Sequence, residues 1–348
     1  MSDYSRSTQG PVGRQVAPLD ARAWQDLSVL VTGGTGSFGQ KFVEMVLREC
    51  PPRRLIVFSR DELKQHDMRQ RFPEGEDSPM RYFIGDVRDK DRLMRAFAGV
   101  DVVVHAAALK QVPTAEYNPF EAVLTNIMGA KNVIDAALDR GVGRVIGLST
   151  DKAVNPINLY GATKLVAEKL FVSGNSYVGS GPTRFSVVRY GNVIGSRGSV
   201  LPFFLQLRKT GRLPVTDERM TRFWITLEDA VHFVMGCLGR MEGGEVFVPK
   251  IHSMRIVDLA RAVGPECDID FVGIRPGEKI NEVLISEDEA SYTVEFEDMY
   301  MVQPRFPWWE QGHIDGGQSL PEGFRYSSDT NPRWLSGEQM AAMIAGVK

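Results

Sequence analysis

Four side chains in one stretch of the sequence could transfer protons. Asp151 and Lys152 form an adjacent carboxyl–amine pair, and Tyr160 and Lys164 follow shortly after them. Because Tyr160 and Lys164 are four residues apart, they share one face if a helix begins near Tyr160. A phenol beside an ammonium loses its proton more easily, since the positive charge favours the phenolate. The pattern predicts Tyr160 as a base and Asp151 and Lys152 as further acid–base groups, although Tyr-x-x-x-Lys alone is also a common surface pair.

The elements around this stretch must bring these side chains together. The apolar run 145–148 ends in polar residues, as a buried parallel strand does when it reaches the edge of a sheet. Asn155 and Pro156 then break the backbone. The apolar positions between 165 and 171 predict a helix, which would carry Tyr160 and Lys164.

Three glycines predict a turn that binds a dinucleotide. Gly33, Gly36 and Gly39 follow the strand pattern 27–31 and open an apolar helix. Glycine permits a tight turn and lets backbone N–H groups approach a pyrophosphate at a helix N-terminus. The strand before the glycines and the helix after them are the context that this motif requires. We expect cofactor contacts from Gly33, Thr35, Gly36, Ser37, Phe38 and Gly39.

The end of the second predicted strand, 55–58, bears on the choice between NADP and NAD. Ser59 and Arg60 follow it, and Lys64 lies one helical turn on, so that Arg60 and Lys64 could clamp a 2′-phosphate. Asp61 would instead accept a hydrogen bond from the ribose hydroxyl of NAD. The pair of cations favours NADP over NAD, and a solvated charged turn is the alternative interpretation.

Two further strand patterns complete the predicted nucleotide-binding half. One ends at Asp86 and Val87, which could meet the adenine, and the other runs into Ala106 and Ala107, whose small side chains would let a cofactor lie against the backbone. Lys110 begins the next loop, and we expect it to contact both cofactor and substrate. Strands that alternate with helices imply a right-handed, doubly wound parallel sheet. The predicted fold class is α/β, a Rossmann-like sheet with a smaller C-terminal α/β substrate lobe.

The order of the strand patterns also predicts the domains. Residues 1–26 are predicted to be a poorly ordered N-terminal extension, and residues 27–190 plus 223–249 the NADP-binding Rossmann domain. Residues 191–222 plus 250–348 are predicted to form the substrate-binding lobe and a C-terminal cap. Cations in this lobe suit a diphosphate, although each alone could be a solvated surface charge. The predicted substrate-binding residues are Lys110, Asn192, Val193, Arg222, Arg275, Glu278 and Lys279.

Length and composition exclude several classes of function. The chain has 348 residues, enough for a full α/β core, and a net charge of −3 gives no reason to expect nucleic acid or an anionic membrane as a partner. The three cysteines are far apart and odd in number, so neither a disulfide framework nor a metal site is predicted. No apolar run is long enough to span a bilayer, and the first 26 residues lack the apolar segment of a secretory signal. We predict a cytoplasmic protein.

Seven separated blocks together resemble the extended short-chain dehydrogenase/reductase superfamily. Within it, the chain is similar to the inverting UDP-N-acetylglucosamine 4,6-dehydratases that open pseudaminic acid synthesis. The match runs from about residue 27 to about residue 336, and it rests on the blocks 32–39, 58–62, 108–113, 150–164, 189–198, 220–225 and 275–279. The resemblance implies a tightly held NADP, a UDP-sugar in the C-terminal lobe, and a homo-oligomer, either a hexamer or a dimer.

The chain departs from the family pattern in two places. The segment before Leu27 is longer than is usual in the family, and Asn281 stands where relatives carry histidine, which bears on the uridine diphosphate site. Related retaining enzymes often have membrane helices and a methionine where this chain has Tyr160, and neither feature is present in this sequence.

The resemblance implies a role for each residue of the proton-transfer stretch. Tyr160, supported by Lys164, would take the O4 proton while hydride leaves C4 of the sugar, and Thr150 would hydrogen-bond the C4 oxygen. Lys152 would then remove the C5 proton, and Asp151 would protonate the departing C6 hydroxyl. Hydride would return to C6, and a proton from either Tyr160 or Lys152 would reach C5 from the opposite face. The product would be a 6-deoxy-4-keto sugar for pseudaminic acid or a related surface glycan.

Three other functions share parts of this pattern. A UDP-sugar 4-epimerase would use the same fold, cofactor, Tyr160 and Lys164, but has no need of the pair Asp151 and Lys152. A retaining 4,6-dehydratase would use the same pair and differ in the face on which C5 is reprotonated. A non-catalytic NADP-binding regulator could lose Tyr160 or Lys164, and this chain keeps both.

Overall fold

The computed structural model describes residues 21–305 and 317–345, and a ten-stranded sheet is its largest feature. Seven strands are parallel, and three antiparallel strands extend one edge. Across the sheet the strands are Gln318–Ser319, Thr293–Glu295, Met299–Val302, Val246–Pro249, Arg184–Tyr190, Arg144–Thr150, Val102–His105, Ser28–Thr32, Arg54–Ser59 and Met80–Ile84. The predicted Rossmann-like α/β fold is confirmed.

Helices cover the parallel part of the sheet, which explains its composition. The strands Ser28–Thr32 and Val102–His105 are buried along their whole length, as parallel strands enclosed between two helical layers must be. Each fully buried Val, Leu or Phe side chain contributes roughly 1.5–3 kcal/mol relative to an exposed one. The helices that alternate with these strands are Ser37–Glu49, Glu62–Arg71, Lys90–Ala96, Gly129–Arg140, Leu159–Gly174 and Leu227–Arg240.

A smaller lobe has an apolar core of its own. Leu201, Phe204, Leu213 and Leu259 are at most 1% exposed and belong to a cluster separate from that of the large sheet. The elements of this part of the chain are the strands Asn192–Val193, Arg212–Val215, Thr221–Ile225, His252–Arg255 and Asp268–Phe271 and the helices Val200–Leu207, Ile256–Val263 and Gly337–Ala345. A short pair, Val283–Ile285 with Tyr326–Ser327, packs beside the large sheet. Over the described ranges, no helix has both the length and the apolar character needed to cross a membrane.

The structure differs from the predicted boundaries in three places. Residues 1–20 of the predicted extension lie outside the described residues, but the chain is helical over Ala21–Gln25, where the indole of Trp24 is fully buried in the main core. Residues 293–302 were assigned to the substrate lobe, yet their backbone pairs with the large sheet through Met299–Val302. The sequence over 121–138 is typical of one long helix, but the structure divides this region into Pro119–Ala122, a wider π-type segment Val123–Met128, and Gly129–Arg140.

The remaining short helices lie mostly at connections. They are Val112–Tyr117 and Glu287–Ala290, with single turns at Asp151–Ala153, Asn175–Tyr177 and Arg208–Thr210. The turn at Asp151–Ala153 follows the strand Arg144–Thr150 directly. It is therefore at the carboxyl edge of the parallel sheet, where α/β proteins bind their ligands.

Candidate active site

A cavity of about 1160 Å³ runs along the carboxyl ends of the parallel strands. It collects nearly all of the residues that the sequence predicted to act together. Every predicted cofactor-binding residue lines it, from Gly33 to Lys164, and so do the predicted substrate residues Lys110, Asn192, Val193, Arg222, Arg275 and Glu278. Two predicted site residues, Asp151 and Lys279, do not line the cavity and lie behind its wall.

The glycine turn has the geometry that a dinucleotide pyrophosphate requires. Gly33 has a φ of +65°, and a Cβ placed there would lie 2.8 Å from the backbone nitrogen of Ala107. A Cβ on Gly39 would lie 2.4 Å from Cα of Gly34, so only glycine permits this contact between turn and helix. The helix Ser37–Glu49 has no side-chain cap at Gly36, which leaves its first N–H groups directed at the cavity for an anion. The chain therefore fits a dinucleotide at this turn.

The acidic residue at the end of the second strand is used by its own helix. Asp61 accepts a hydrogen bond from the backbone N–H of Lys64 at 3.0 Å and forms an ion pair with the Lys64 ammonium at 2.5 Å. The Lys64 contacts lower the pKa of the Asp61 carboxyl. Arg60 is 57% exposed on its side chain and is 3.6 Å from Asp86, so its guanidinium lines the cavity with room to reorient.

Thr150, Asp151, Lys152 and Tyr160 form one connected group, termed here the acid–base cluster. The Thr150 hydroxyl donates to Oδ1 of Asp151 at 3.0 Å and also hydrogen-bonds the phenol of Tyr160. The Lys152 amine donates to the same Asp151 oxygen at 3.0 Å. Asn158 begins the helix Leu159–Gly174 by accepting from the N–H of Gly161, which fixes where Tyr160 lies.

Burial changes the expected acidity of Tyr160. Desolvation raises the pKa of the phenol to about 12, and the charge that opposes this increase comes from Lys152. Lys164 is not among the causes of this shift, and the net change is opposite to the lowered pKa that the sequence predicts, because the cost of burying a phenolate is larger. Lys164 itself is 5% exposed, and desolvation lowers the pKa of its ammonium to about 8, although the charge of Glu168 opposes the change.

The pKa of the Asp151 carboxyl and the pKa of the Lys152 ammonium are raised for different reasons. Asp151 is fully buried, so desolvation raises the pKa of its carboxyl, and the neighbouring charge of Glu282 raises it further. Burial acts against the charge of Lys152, but the carboxylates of Asp151 and Glu282 outweigh it and raise the pKa of the ammonium. The Lys152 side chain is 24% exposed and enters the cavity, whereas Asp151 supports it from behind.

Glu282 is a cavity residue that sequence reasoning missed. Its carboxylate lies 3.2 Å from the amine of Lys152 and is 2% exposed. The signal in the sequence was a carboxylate directly before the apolar run 283–285, close after the block 275–279. Tyr190 and Gln111 also line the cavity and were not among the predicted site residues.

Two of the three basic residues expected at the diphosphate, Arg222 and Lys279, are engaged elsewhere. The Lys279 ammonium donates to the backbone carbonyl of Val154 at 2.6 Å, which draws it away from the cavity. The Arg222 guanidinium lines the cavity, but it donates to the backbone carbonyls of Thr221 at 2.6 Å, Ile280 at 2.9 Å and Lys279 at 2.9 Å. Arg275 is exposed and lines the cavity. Asn281, where the chain departs from the family pattern, does not line the cavity. Its side chain accepts a hydrogen bond from Thr221 at 2.8 Å.

A buried ion cluster holds the helix of Tyr160 against the sheet. Arg189, 1% exposed at the end of the neighbouring strand, pairs with Glu168 at 2.7 Å and with Glu289 at 3.0 Å. Ser149 also donates to Glu168, one residue before Thr150. The same helix is held on its other side by Asn126, whose amide bonds both backbone groups of Leu109 and the hydroxyl of Thr163.

The doubly wound sheet, the glycine turn and the helix of Tyr160 and Lys164 are those of an extended short-chain dehydrogenase/reductase. Within that class, residues 29–304 match the family described as polysaccharide biosynthesis protein, and the chain belongs to this family.

The chain is similar to several proteins that are named as nucleotide-sugar enzymes. It is 52% identical to the UDP-N-acetylglucosamine 4,6-dehydratase (inverting) of Campylobacter jejuni subsp. jejuni, over 91% of this chain and 97% of that protein. It is 42% identical to the UDP-glucose 4-epimerase of Rickettsia massiliae, over 80% of this chain and 83% of that one. The X-ray structure of Pen from Bacillus thuringiensis has a TM-score of 0.85 at 39% identity and covers 93% of this chain and 98% of its own. The resemblance to inverting dehydratases seen in the sequence is confirmed.

Proposed function

We propose that the protein is a C5-inverting UDP-N-acetylglucosamine 4,6-dehydratase. The observation that carries this proposal is the acid–base cluster, in which the Lys152 amine enters the cavity while its partner Asp151 is fully buried behind it. Hydride transfer at C4 alone needs a base and a hydride acceptor, whereas elimination of water also needs an acid–base pair. The identity to the Campylobacter jejuni enzyme supports the same activity.

The glycine turn and the cations near it would hold NADP. When bound, a nicotinamide dinucleotide supplies a reversible hydride acceptor. Arg60 and Lys64 line the cavity beyond Ser59, and we assign them to the 2′-phosphate. Asp61 is already occupied as the cap of the helix Glu62–Arg71, so it is poorly placed to accept from a ribose hydroxyl, which supports NADP over NAD. Ala106 and Ala107 let the cofactor approach the backbone.

Three members of the acid–base cluster each have one proton to move. Tyr160, beside Lys164, takes the O4 proton as C4 becomes a ketone, and Thr150 holds the C4 oxygen. The ketone makes the C5 hydrogen acidic, so that Lys152 can remove it. Asp151 lies behind the cavity wall, so its proton would reach the leaving C6 hydroxyl through the hydroxyl of Thr150, which contacts Asp151 and lines the cavity. The raised pKa of Asp151 suits this acid, because the carboxyl keeps its proton until it is needed. Each such proton transfer contributes roughly 10²–10⁴-fold.

The smaller lobe would bind the nucleotide part of the substrate. Arg275 is exposed at the cavity and free of the backbone contacts that occupy Arg222, so we assign the diphosphate chiefly to Arg275. Glu278, whose carboxylate accepts from Thr216 at 3.4 Å, lies at the same wall. Lys110, Asn192 and Val193 would contact the sugar. Lys279 would act indirectly, by holding the turn at Val154.

We further propose a homo-oligomer that supplies a surface-glycan pathway such as that of pseudaminic acid. Tyr117 and Phe120 are 89% and 81% exposed, and Leu124, Met128 and Val166 add to the apolar surface of the adjoining helices. An apolar surface of this kind is suited to contact with a second copy of the chain. Sedimentation would distinguish a dimer from a hexamer.

A UDP-sugar 4-epimerase is the second candidate. The 42% identity to the Rickettsia massiliae protein favours it, and Tyr160 with Lys164 would serve both reactions. An epimerase would return hydride to the other face of C4 and leave C5 untouched. The acid–base pair at Asp151 and Lys152 has no task in that reaction.

Incubation with UDP-N-acetylglucosamine in deuterated water separates these functions. A dehydratase gives a product that has lost one water and gained one deuterium at C5, and the NMR couplings show whether C5 is inverted. An epimerase gives an intact hexose with altered C4 and no deuterium at C5. Recovery of unchanged substrate from enzyme loaded with NADP would contradict both proposals.

A further inference from the structure

Glu282 is held rigidly at the wall of the cavity. Its backbone N–H donates to the hydroxyl of Ser328 at 2.9 Å, and its carbonyl accepts from the backbone of Ser328 at 2.9 Å. Its carboxylate faces three cations: the Lys152 amine at 3.2 Å, the Lys279 amine at 3.6 Å and Nε of Arg222 at 3.9 Å. A buried carboxylate placed among cations remains charged, because their field offsets the cost of burial.

Two carboxylates therefore face one amine, and neither is saturated. Lys152 contacts Oδ1 of Asp151 at 3.0 Å and Oε1 of Glu282 at 3.2 Å. The second oxygens, Oδ2 of Asp151 and Oε2 of Glu282, are buried and have no hydrogen-bond partner among the described residues. Oε2 of Glu282 lies 3.6 Å from the Lys279 ammonium, beyond hydrogen-bond distance, so either oxygen can hold a proton without the loss of a hydrogen bond.

The pKa values of Asp151 and Glu282 are shifted in opposite directions. Burial and the charge of Glu282 raise the pKa of Asp151. Burial acts in the same direction on Glu282, but the charges of Lys152, Arg222 and Lys279 outweigh it and lower the pKa of that carboxyl. These directions favour the proton on Asp151 and the negative charge that balances the ammonium of Lys152 on Glu282.

The proposed reaction requires Lys152 to lose a proton before it can take one from C5. Asp151 cannot accept that proton, because it must give its own proton to the C6 oxygen. Solvent is a poor acceptor once substrate fills the cavity and excludes water. Glu282 is left as the group within reach, at 3.2 Å from the amine. Because their charges raise the pKa of Lys152 and lower that of Glu282, the ionised pair is the resting form, and the transfer is completed only as the amine takes the C5 proton.

We propose that Glu282 is a positioning residue that holds the Lys152 amine toward C5 of the sugar and accepts its ammonium proton, an inference that rests on the proposed function. An N–H bond of the ammonium breaks, an O–H bond forms on Glu282, and the freed lone pair of the amine takes the C5 proton. When Lys152 has given up that proton, either to C5 on the opposite face or to the Asp151 carboxylate that has lost its own, Glu282 returns the first proton to Lys152. The transfer is internal and consumes no other reagent.

This arrangement predicts how the C5 step depends on pH. A proton that moves between Lys152 and Glu282 is not exchanged with solvent, so the pair itself imposes no pH dependence on the step. In Glu282→Gln the amide cannot accept a proton, so the ammonium must lose it to solvent. The other charged or titratable groups that face this pair are Asp151, Arg222, Lys279, Lys110 and Tyr160, and all of them are kept in the variant.

The experiment follows loss of the C5 proton in single turnovers of the NADP-loaded enzyme. Substrate carrying deuterium at C5 identifies this step by its isotope effect. We expect a wild-type rate with no pH dependence beyond that of the C4 step, which needs deprotonated Tyr160. For Glu282→Gln we expect about 10²-fold slower loss at neutral pH, a rate relative to the wild type that rises about tenfold per pH unit, and little change in KM. Glu282→Asp keeps a carboxylate and should recover part of the rate with the pH dependence of the wild type.

Glu245→Gln is the matched control, because Glu245 is also buried but lies outside the cavity, where it accepts from Ser186. Its pH profile should be that of the wild type. Tyr160 must also be deprotonated before it can take the O4 proton, so a pH dependence shared by all variants belongs to the C4 step, and only a difference in slope reports on Glu282. A Glu282→Asp profile as steep as that of Glu282→Gln would overturn the inference. A Glu282→Gln profile parallel to that of the wild type would overturn it as well. A wild type that does not dehydrate the sugar would instead overturn the proposed function.

Discussion

The hydroxyl of Thr150 donates a hydrogen bond to the carboxylate oxygen of Asp151 at 3.0 Å, and the same hydroxyl hydrogen-bonds the phenol of Tyr160. Thr150 ends a strand and Tyr160 begins a helix, so one hydroxyl joins the two elements that carry the acid and the base. In the proposed reaction Tyr160 gains a proton and Asp151 loses one. The hydroxyl of Thr150 is therefore a direct route by which a proton could pass from Tyr160 back to Asp151.

Replacement of Thr150 by valine tests this bridge, since valine has nearly the same shape and no hydroxyl. Hydrogen bonds to charged groups contribute roughly 1.5–3 kcal/mol, so we expect kcat to fall about 10- to 100-fold. Thr150→Ser keeps the hydroxyl and should retain most of the activity. Steady-state kinetics with UDP-N-acetylglucosamine give the comparison. Equal activity of the valine and serine variants would show that the hydroxyl has no part in turnover.

Removal of the Lys152 side chain should block elimination and leave cofactor binding intact. Lys152→Ala takes away the proposed C5 base, and we expect dehydration to slow by roughly 10²–10⁴-fold. Titration with NADP, followed by fluorescence, should give a Kd close to that of the wild type. Lys131→Ala, a surface lysine paired with Asp135, is the control for loss of a lysine outside the site. Normal turnover by Lys152→Ala would remove Lys152 from the mechanism.

Arg60 should decide the preference for NADP. The guanidinium lies at the cavity beyond Ser59, and loss of a charge-assisted contact to a phosphate should weaken NADP binding by about 10- to 100-fold. NAD lacks the phosphate, so its affinity should change little in Arg60→Ala. Competitive titration of both cofactors measures the ratio. Arg53→Ala, which removes an arginine that lies 3.7 Å from Asp101 and does not line the cavity, should leave the ratio unchanged.

Local patterns in the sequence predicted much of the fold and of the cavity. The glycine turn could be predicted because strand, glycines and helix are adjacent in the chain, and Gly33 and Gly39 meet their neighbours at distances that no other residue permits. The same holds for Thr150 and Tyr160, which one strand end and one helix start place together.

Features that depend on distant parts of the chain could not be predicted in this way. Glu282 reaches Lys152 only because the strand Val283–Ile285 packs beside the turn Asp151–Ala153. No local sequence pattern predicts this contact. The direction of the Lys279 side chain depends on the carbonyl of Val154, which becomes available only in the folded chain. The acidity of Tyr160 was predicted with the wrong sign because burial, and not the nearest charge in sequence, dominates it.

The buried pairing of Arg189 with Glu168 and Glu289 should be essential for stability. Arg189→Met removes the charge that pairs with both carboxylates, at distances of 2.7 and 3.0 Å, and breaking a buried pair in this way costs about 3–5 kcal/mol of unfolding free energy. Urea unfolding measures the loss. Arg208→Met breaks an exposed pair with Glu266 of similar length, 2.7 Å, and should leave stability nearly unchanged.

The same pairing predicts how stability depends on pH. Burial acts to raise the pKa of Glu289, but the charge of Arg189 outweighs it and lowers the pKa below that of the unfolded chain. The stabilisation from Glu289 is therefore fully present above its unfolded pKa and is lost as pH falls through the lower folded value. In Arg189→Met the carboxyl is buried without its cation, its pKa should rise, and acidification should cost less than in the wild type. Parallel curves of unfolding free energy against pH for the two proteins would show that Arg189 does not set the charge of Glu289.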